Sequence, residues 1–145
     1  ELNPWRVQAL DNGVLVAITS QKQTQGQFNI TLGLSKASGD FRLIILIKPT
    51  INSIEPAKLT ELLSNSQPIL MAKDKLIKLK LDKSWQLTAT GSQASFFLKG
   101  DELLQLASQV EFELQLPPNL TQSGLDQTTL FSTRGLGGAV IALKK

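Results

Sequence analysis

The sequence predicts a mainly β protein, an antiparallel β-sandwich of about nine strands with two or three short helices. Three observations predict it. Apolar and polar residues alternate with a period of two along several segments, as they do where one sheet face is buried and the other wet. Turn residues punctuate those segments at short intervals. Helical spacing occurs only in brief stretches, which disfavours a parallel α/β architecture. With 145 residues, 41% of them hydrophobic and no linker-like tract dividing them, residues 1–145 are read as a single domain with one core.

Residues 5–9 and 14–19 flank Asp11-Asn12-Gly13, and Asn-Gly between apolar runs predicts a hairpin. Phe28, Ile30, Leu32 and Leu34 alternate with Asn29, Thr31, Gly33 and Ser35, the pattern of a half-buried strand. Ser38-Gly39-Asp40 turns the chain into residues 41–47, a nearly continuous apolar run before Pro49 that suits a central strand. Between Ser53 and Asn65 the period changes: Leu59, Leu62 and Leu63 share a helical face, and Pro56 suits a first turn.

Residues 76–81 alternate again, and Asp82-Lys83-Ser84 is expected to fold them into a hairpin with residues 85–90. A further strand over residues 94–99 leads to Asp101, placed to cap a short helix carrying Leu103, Leu104 and Leu106. Val110, Phe112, Leu114 and Leu116 alternate with Glu111, Glu113 and Gln115 until Pro117-Pro118 opens a polar loop reaching about Gln127. A last strand over 128–133 precedes residues 135–143, where Ala139, Val140, Ala142 and Leu143 favour a short helix packed on the sheet.

At this stage the residues resemble, in order, the bacterial invasion-associated locus B family. The resemblance rests on the Trp5-Arg6-Val7 opening, the strands over 28–34 and 41–47, Leu79-Lys80-Leu81-Asp82, and the ending Thr129-Leu130-Phe131-Ser132-Thr133-Arg134-Gly135-Leu136 with Ala139 and Leu143. It covers nearly all of the chain. It departs at the cysteines that members commonly carry, since Ala9, Val16 and Ala94 stand near the places where thiols would fall. The resemblance implies an exported β-sandwich, periplasmic or secreted, that meets another envelope or host protein. It carries over no functional residue.

The chemical inventory narrows the function. The chain has no His, Cys or Tyr, so a Ser-His-Asp triad, a Cys-His dyad and a thiolate or imidazole metal site are all impossible. We assign no catalytic, cofactor-binding or metal-binding residue and expect a non-enzymatic protein with no cofactor. A glycosidase would need only two facing carboxylates. Asp101 and Glu102 are more simply the start of a helix, and Glu111 and Glu113 the solvated side of a strand. No Ser-x-x-Lys motif occurs, and Gly135-Leu136-Gly137-Gly138 lacks the Lys-Ser or Lys-Thr that follows a phosphate loop.

The possible interaction surface is a lysine stripe, Lys73, Lys75, Lys78, Lys80 and Lys83, opposed locally by Asp74 and Asp82. Lys78 and Lys80 are expected to share one strand face, where they could meet an anionic polymer or membrane surface weakly. The plainer reading is an edge strand kept from aggregating by its lysines. Trp5, Trp85 and one of Phe96 and Phe97 could make a stacking platform for a carbohydrate-binding module, though core packing is the simpler role. Two sequons, at Asn29 and Asn119, are read as chance.

A net charge of +3 is too small to mark a nucleic-acid binder, so no specific nucleic acid is expected. No apolar run is long enough for a transmembrane helix, and a signal peptide is presumed removed. The expected function is therefore an exported binding or accessory protein of the cell envelope, with a carbohydrate- or polyanion-binding module as the alternative and a carboxylate glycosidase behind it.

Overall fold

The computed structural model describes residues 2–23, 27–50, 54–117, 120 and 124–145. Within them, strand-forming segments build two antiparallel sheets. The first holds β1 (Arg6–Ala9), β2 (Leu15–Lys22), β3 (Phe28–Ala37), β4 (Asp40–Pro49), β7 (Lys80–Leu87) and β8 (Ser92–Leu98) in the order β1-β2-β3-β4-β8-β7. The second holds β5 (Ile69–Ala72), β6 (Lys75–Lys78), β9 (Glu111–Gln115) and β10 (Thr128–Ser132) in the order β10-β9-β5-β6. The mainly β class and the antiparallel pairing are as predicted. β4 lies between β3 and β8, the central place its apolar run calls for.

Alternation decides which face is buried. Phe28, Ile30, Leu32 and Leu34 of β3 and Phe41, Leu43, Ile45 and Ile47 of β4 point to one side and are buried. Phe96 and Leu98 of β8 join them, against Leu70, Ile77, Phe112, Leu114 and Phe131 of the smaller sheet. Phe112 and Phe131, paired across β9 and β10, stack with centroids 5.7 Å apart. Both tryptophans are core residues, 6% and 7% exposed, and each indole N–H donates to a backbone carbonyl: Trp5 to Ser132 at 2.9 Å, Trp85 to Ser66 at 3.4 Å.

Three helices complete the core: α1 (Pro56–Leu63), α2 (Gly100–Ala107) and α3 (Leu136–Lys144). Pro56 opens α1 as expected, and Leu59 and Leu63 face inward. Leu103 and Leu106 of α2, and Leu136, Ala139, Val140 and Leu143 of α3, enter the same core. Asp101 is not the cap of α2. The cap lies two residues earlier, at Lys99, whose backbone N–H is satisfied by the Glu102 carboxylate at 3.3 Å.

Two expectations about the middle of the chain are corrected. The segment 76–81 is not one strand: it divides at buried Leu79, where the chain leaves β6 in the small sheet and enters β7 in the large one. Gln67 holds this crossing by donating to the Leu79 carbonyl at 2.5 Å. Nor does Asp82-Lys83-Ser84 turn the chain, because β7 runs through it with register shifts between Leu81 and Lys83 and between Lys83 and Gln86. Bulges absorb the extra residues, and Asp82 finds its partners sideways, on β4 and β8, instead of in a turn. The hairpin lies earlier, between β5 and β6, a tenth strand that the sequence pattern did not show.

Opposite the Leu79 crossing, the sheets are tied by backbone and amide groups. Trp5 N–H donates to the Arg134 carbonyl at 2.8 Å. Gln23, 3% exposed, donates to Thr129 Oγ1 at 3.0 Å and to the Asp126 carbonyl at 3.3 Å, and accepts from the Asp126 N–H at 3.1 Å. Every polar atom of this buried amide that could be orphaned is thereby matched.

Candidate functional site

The five stripe lysines are all exposed, but the fold distributes them. Lys73 occupies the β5–β6 turn at φ 58°, in the left-handed region. Lys75 and Lys78 belong to β6, and Lys80 and Lys83 to β7. Lys78 and Lys80 therefore do not share a strand face. They meet nonetheless across the break at Leu79, lining a depression of about 510 Å³ with Lys99, Asp40, Glu102 and Phe97. Both β6 and β7 are edge strands, which agrees with the protective role of lysine at open edges.

The strand register defines a broader surface, the outer face of the six-stranded sheet. Arg6 lies opposite Ile18, Ile18 opposite Gly33, Gly33 opposite Ile44, Ile44 opposite Ser95 and Ser95 opposite Lys83, one row across all six strands. A second row runs Ser20, Thr31, Leu46, Gln93 and Gln86, and a third Lys22, Asn29 and Lys48. On the other flank, Ser35 lies opposite Arg42, Arg42 opposite Phe97 and Phe97 opposite Lys80.

The helices leave this face open, because each is tied to the other side. Thr60 of α1 donates to Ser92 Oγ at 2.9 Å, and Ser92 pairs with inward Ile47. Gly100 of α2 lies against the ring of inward Phe41. Lys36, paired with Phe41, donates to the carbonyl of Lys144 in α3 at 3.3 Å. The large sheet thus has a core side and a solvent side, as antiparallel sheets do.

One polar network sits on the open face. Arg42 Nε donates to Asp82 Oδ2 at 2.7 Å, Ser95 Oγ donates to the same oxygen at 2.9 Å, and the Arg42 guanidinium lies 5.7 Å from the centroid of Phe97. Hydrogen bonds from Arg42 and then Ser95 hold the Asp82 carboxyl below its usual range.

The carboxylate pairs considered for sugar hydrolysis are arranged otherwise than that chemistry needs. Glu111 and Glu113 stand side by side on β9, in a depression of about 500 Å³ with Met71, Val110 and Leu130, rather than facing one another across it. Asp101 and Glu102 are engaged in the first turn of α2, where Asp101 Oδ1 accepts the Glu102 N–H at 2.9 Å. A stacking platform built on tryptophan is excluded by the burial of Trp5 and Trp85. Of the two phenylalanines, Phe96 is buried and Phe97 points outward beneath Arg42. Asn119 lies outside the described residues, and Asn29 is half-buried within β3.

Among the described residues, no cluster of acidic side chains is arranged to hold a metal ion, and no helix is long and apolar enough to cross a membrane. No protein-family model matches the chain, and no curated protein matches it in sequence. A solved structure does: the crystal structure of invasion associated protein B from Bartonella henselae superposes with a TM-score of 0.61, covering 99% of this chain and 94% of that one at 10% identity. At that identity the likeness is one of fold, carried over nearly the whole length of both chains: this protein has the fold of that invasion associated protein B.

Proposed function

We propose that this chain is a non-enzymatic binding protein of the bacterial cell envelope or of a host-contact surface, exported to the periplasm or beyond. It acts through the outer face of the six-stranded sheet. The observation that carries this reading is the bareness of that face among the described residues: six strands wide, and left clear while the three helices serve the core side. A sheet face that no helix covers is available for contact. The fold likeness to an invasion-associated protein supports the envelope or host-contact setting.

The test is site-directed photo-crosslinking in the native envelope or at a host-cell surface. A crosslinker at exposed Gln93, on the β8 strand of the face, is expected to capture a partner, whereas one at exposed Leu104 on α2 is expected to capture none. Capture from Leu104 alone would overturn the choice of face. Turnover of a glycan by the purified protein, abolished by Glu111→Gln, would overturn the non-enzymatic reading.

A further inference from the structure

The charge on the open sheet face is one-sided. Arg6, Lys22, Arg42, Lys48, Lys80 and Lys83 occupy outward register positions, and the carboxylates there are Asp40 and Asp82. Six cations less two carboxylates leaves +4, more than the +3 of the whole chain. The remaining surface is therefore slightly acidic overall, and the excess positive charge of the molecule is gathered on one side. Of the five stripe lysines only Lys80 and Lys83 belong to this face, so it is a different surface from the one the linear sequence suggests.

The cations ring the face instead of filling it. From β1 to β7 is five strand spacings, roughly 24 Å, and from Arg42 to Lys48 is six residues, roughly 20 Å. Between those cations lie Ser20, Thr31 and Gln93, whose hydroxyls and amide both donate and accept hydrogen bonds, together with half-buried Ile18, Ile44 and Leu46. We propose that this face binds an extended acidic polysaccharide, its anionic groups held by the lysine rim and its hydroxyls by the polar centre. This assignment rests on the binding reading given above and specifies the chemistry of the partner.

Two other polyanions fit the face less well. A membrane surface would be gripped by apolar side chains projecting beyond the charges. Ile18, Ile44 and Leu46 are instead half-buried, and large hydrophobics that are exposed, such as Val110, Leu76 and Leu104, lie elsewhere. A nucleic acid strand would be held by exposed aromatic rings as well as charge. The outward aromatic of the face, Phe97, is occupied by the Arg42 guanidinium. Neither feature is needed to hold sugars by hydrogen bonds and charge.

Binding to heparin and to polygalacturonate, with neutral dextran as the blank, tests the proposal. Three proteins are compared: wild type, a face variant combining Lys22→Glu, Lys48→Glu and Lys83→Glu, and a control combining Lys73→Glu, Lys75→Glu and Lys144→Glu. Both variants change net charge equally, and all six side chains are at the surface, so thermal melts verify folding in each. The expected result is binding of both acidic chains, tighter for heparin, that falls steeply as salt shortens the Debye length from about 10 Å at 0.1 M. The face variant should weaken it at least tenfold, and the control no more than about threefold, the residue of long-range attraction.

Equal loss in both variants would mean indiscriminate charge attraction and would overturn the proposal. So would tighter binding to phosphatidylglycerol vesicles or to a DNA oligonucleotide of matched charge. Absence of polysaccharide binding also sinks it. In that event crosslinking from Gln93 separates the two levels: a captured protein partner preserves the binding face and rejects only the sugar chemistry, whereas silence there rejects both.

Discussion

Gly135 joins β10 to α3 at φ 85°, and a Cβ added to it would lie 2.6 Å from the backbone oxygen of Trp5. Both the backbone conformation and the space demand glycine. A Cβ added to Gly137, two residues on in α3, would meet nothing within 4 Å. Gly135→Ala should therefore cost on the order of 3 kcal/mol in urea unfolding, while Gly137→Ala should stabilise by up to about 1 kcal/mol through helix propensity. Equal effects at the two sites would show that the junction is not strained. The sequence displays both glycines in one Gly-rich run; only the approach of Trp5, a residue 130 positions away in sequence, separates their roles.

Asp82 makes a pH-dependent contribution of defined sign. Its folded-state pKa is lowered by hydrogen bonds from Arg42 and Ser95, so its stabilisation is complete above the ordinary value of 3.8 and is lost as pH falls through the depressed folded value. Asp82→Asn should lower the melting temperature at pH 7, and the gap to wild type should close below about pH 3.8. A gap constant down to pH 2 would mean that the side chain acts by shape and not by charge. Read in sequence, Asp82-Lys83-Ser84 is a turn signal. What removed the turn is Arg42, brought alongside from β4, which no local pattern displays.

At the scale of elements, the division of residues 76–81 between two sheets explains why a single alternating run looked like one strand. The period of two survives the crossing, since Ile77, Leu79 and Trp85 are all buried, but the sheet they line changes. β5 escaped notice for a related reason: four residues with apolar side chains on both faces carry no alternation. Because β6 ends one sheet and β7 the other, each exposes unpaired backbone groups. Lys75→Val with Lys78→Val on β6 should change thermal stability by under about 1 kcal/mol, yet hasten aggregation measured by light scattering at 37 °C. Unchanged aggregation would deny these lysines the edge-guarding role.

The whole molecule is organised around a core that both sheets and all three helices share, from Trp5 near the start to Leu143 near the end. That continuity predicts that the chain unfolds as one cooperative unit. Trp5 sits at the β1–β10 seam and Trp85 beside Phe96, 6.3 Å between ring centroids, on the far edge of the large sheet. The single-tryptophan variants Trp5→Phe and Trp85→Phe should each show one fluorescence transition in urea, with the same slope. Two separated transitions would mean that the sheets are independent.

Fold class, the central place of β4, the inward faces of β3 and β9, and the three helices were all legible in the chain, because each depends on a periodicity that neighbouring residues display among themselves. The absence of His, Cys and Tyr was equally plain. The candidate site was legible only in part: Lys80 and Lys83 stand out as a local charge excess, whereas Arg6, Lys22 and Lys48 are isolated cations in three separate segments. Strand order and register brought them onto one surface, and the placement of the helices kept that surface bare. Alternation tells which side chains lie on a common face within one strand. Which strands become neighbours, and which side the helices cover, is decided by long-range burial of the core, and that is a property of the folded chain alone.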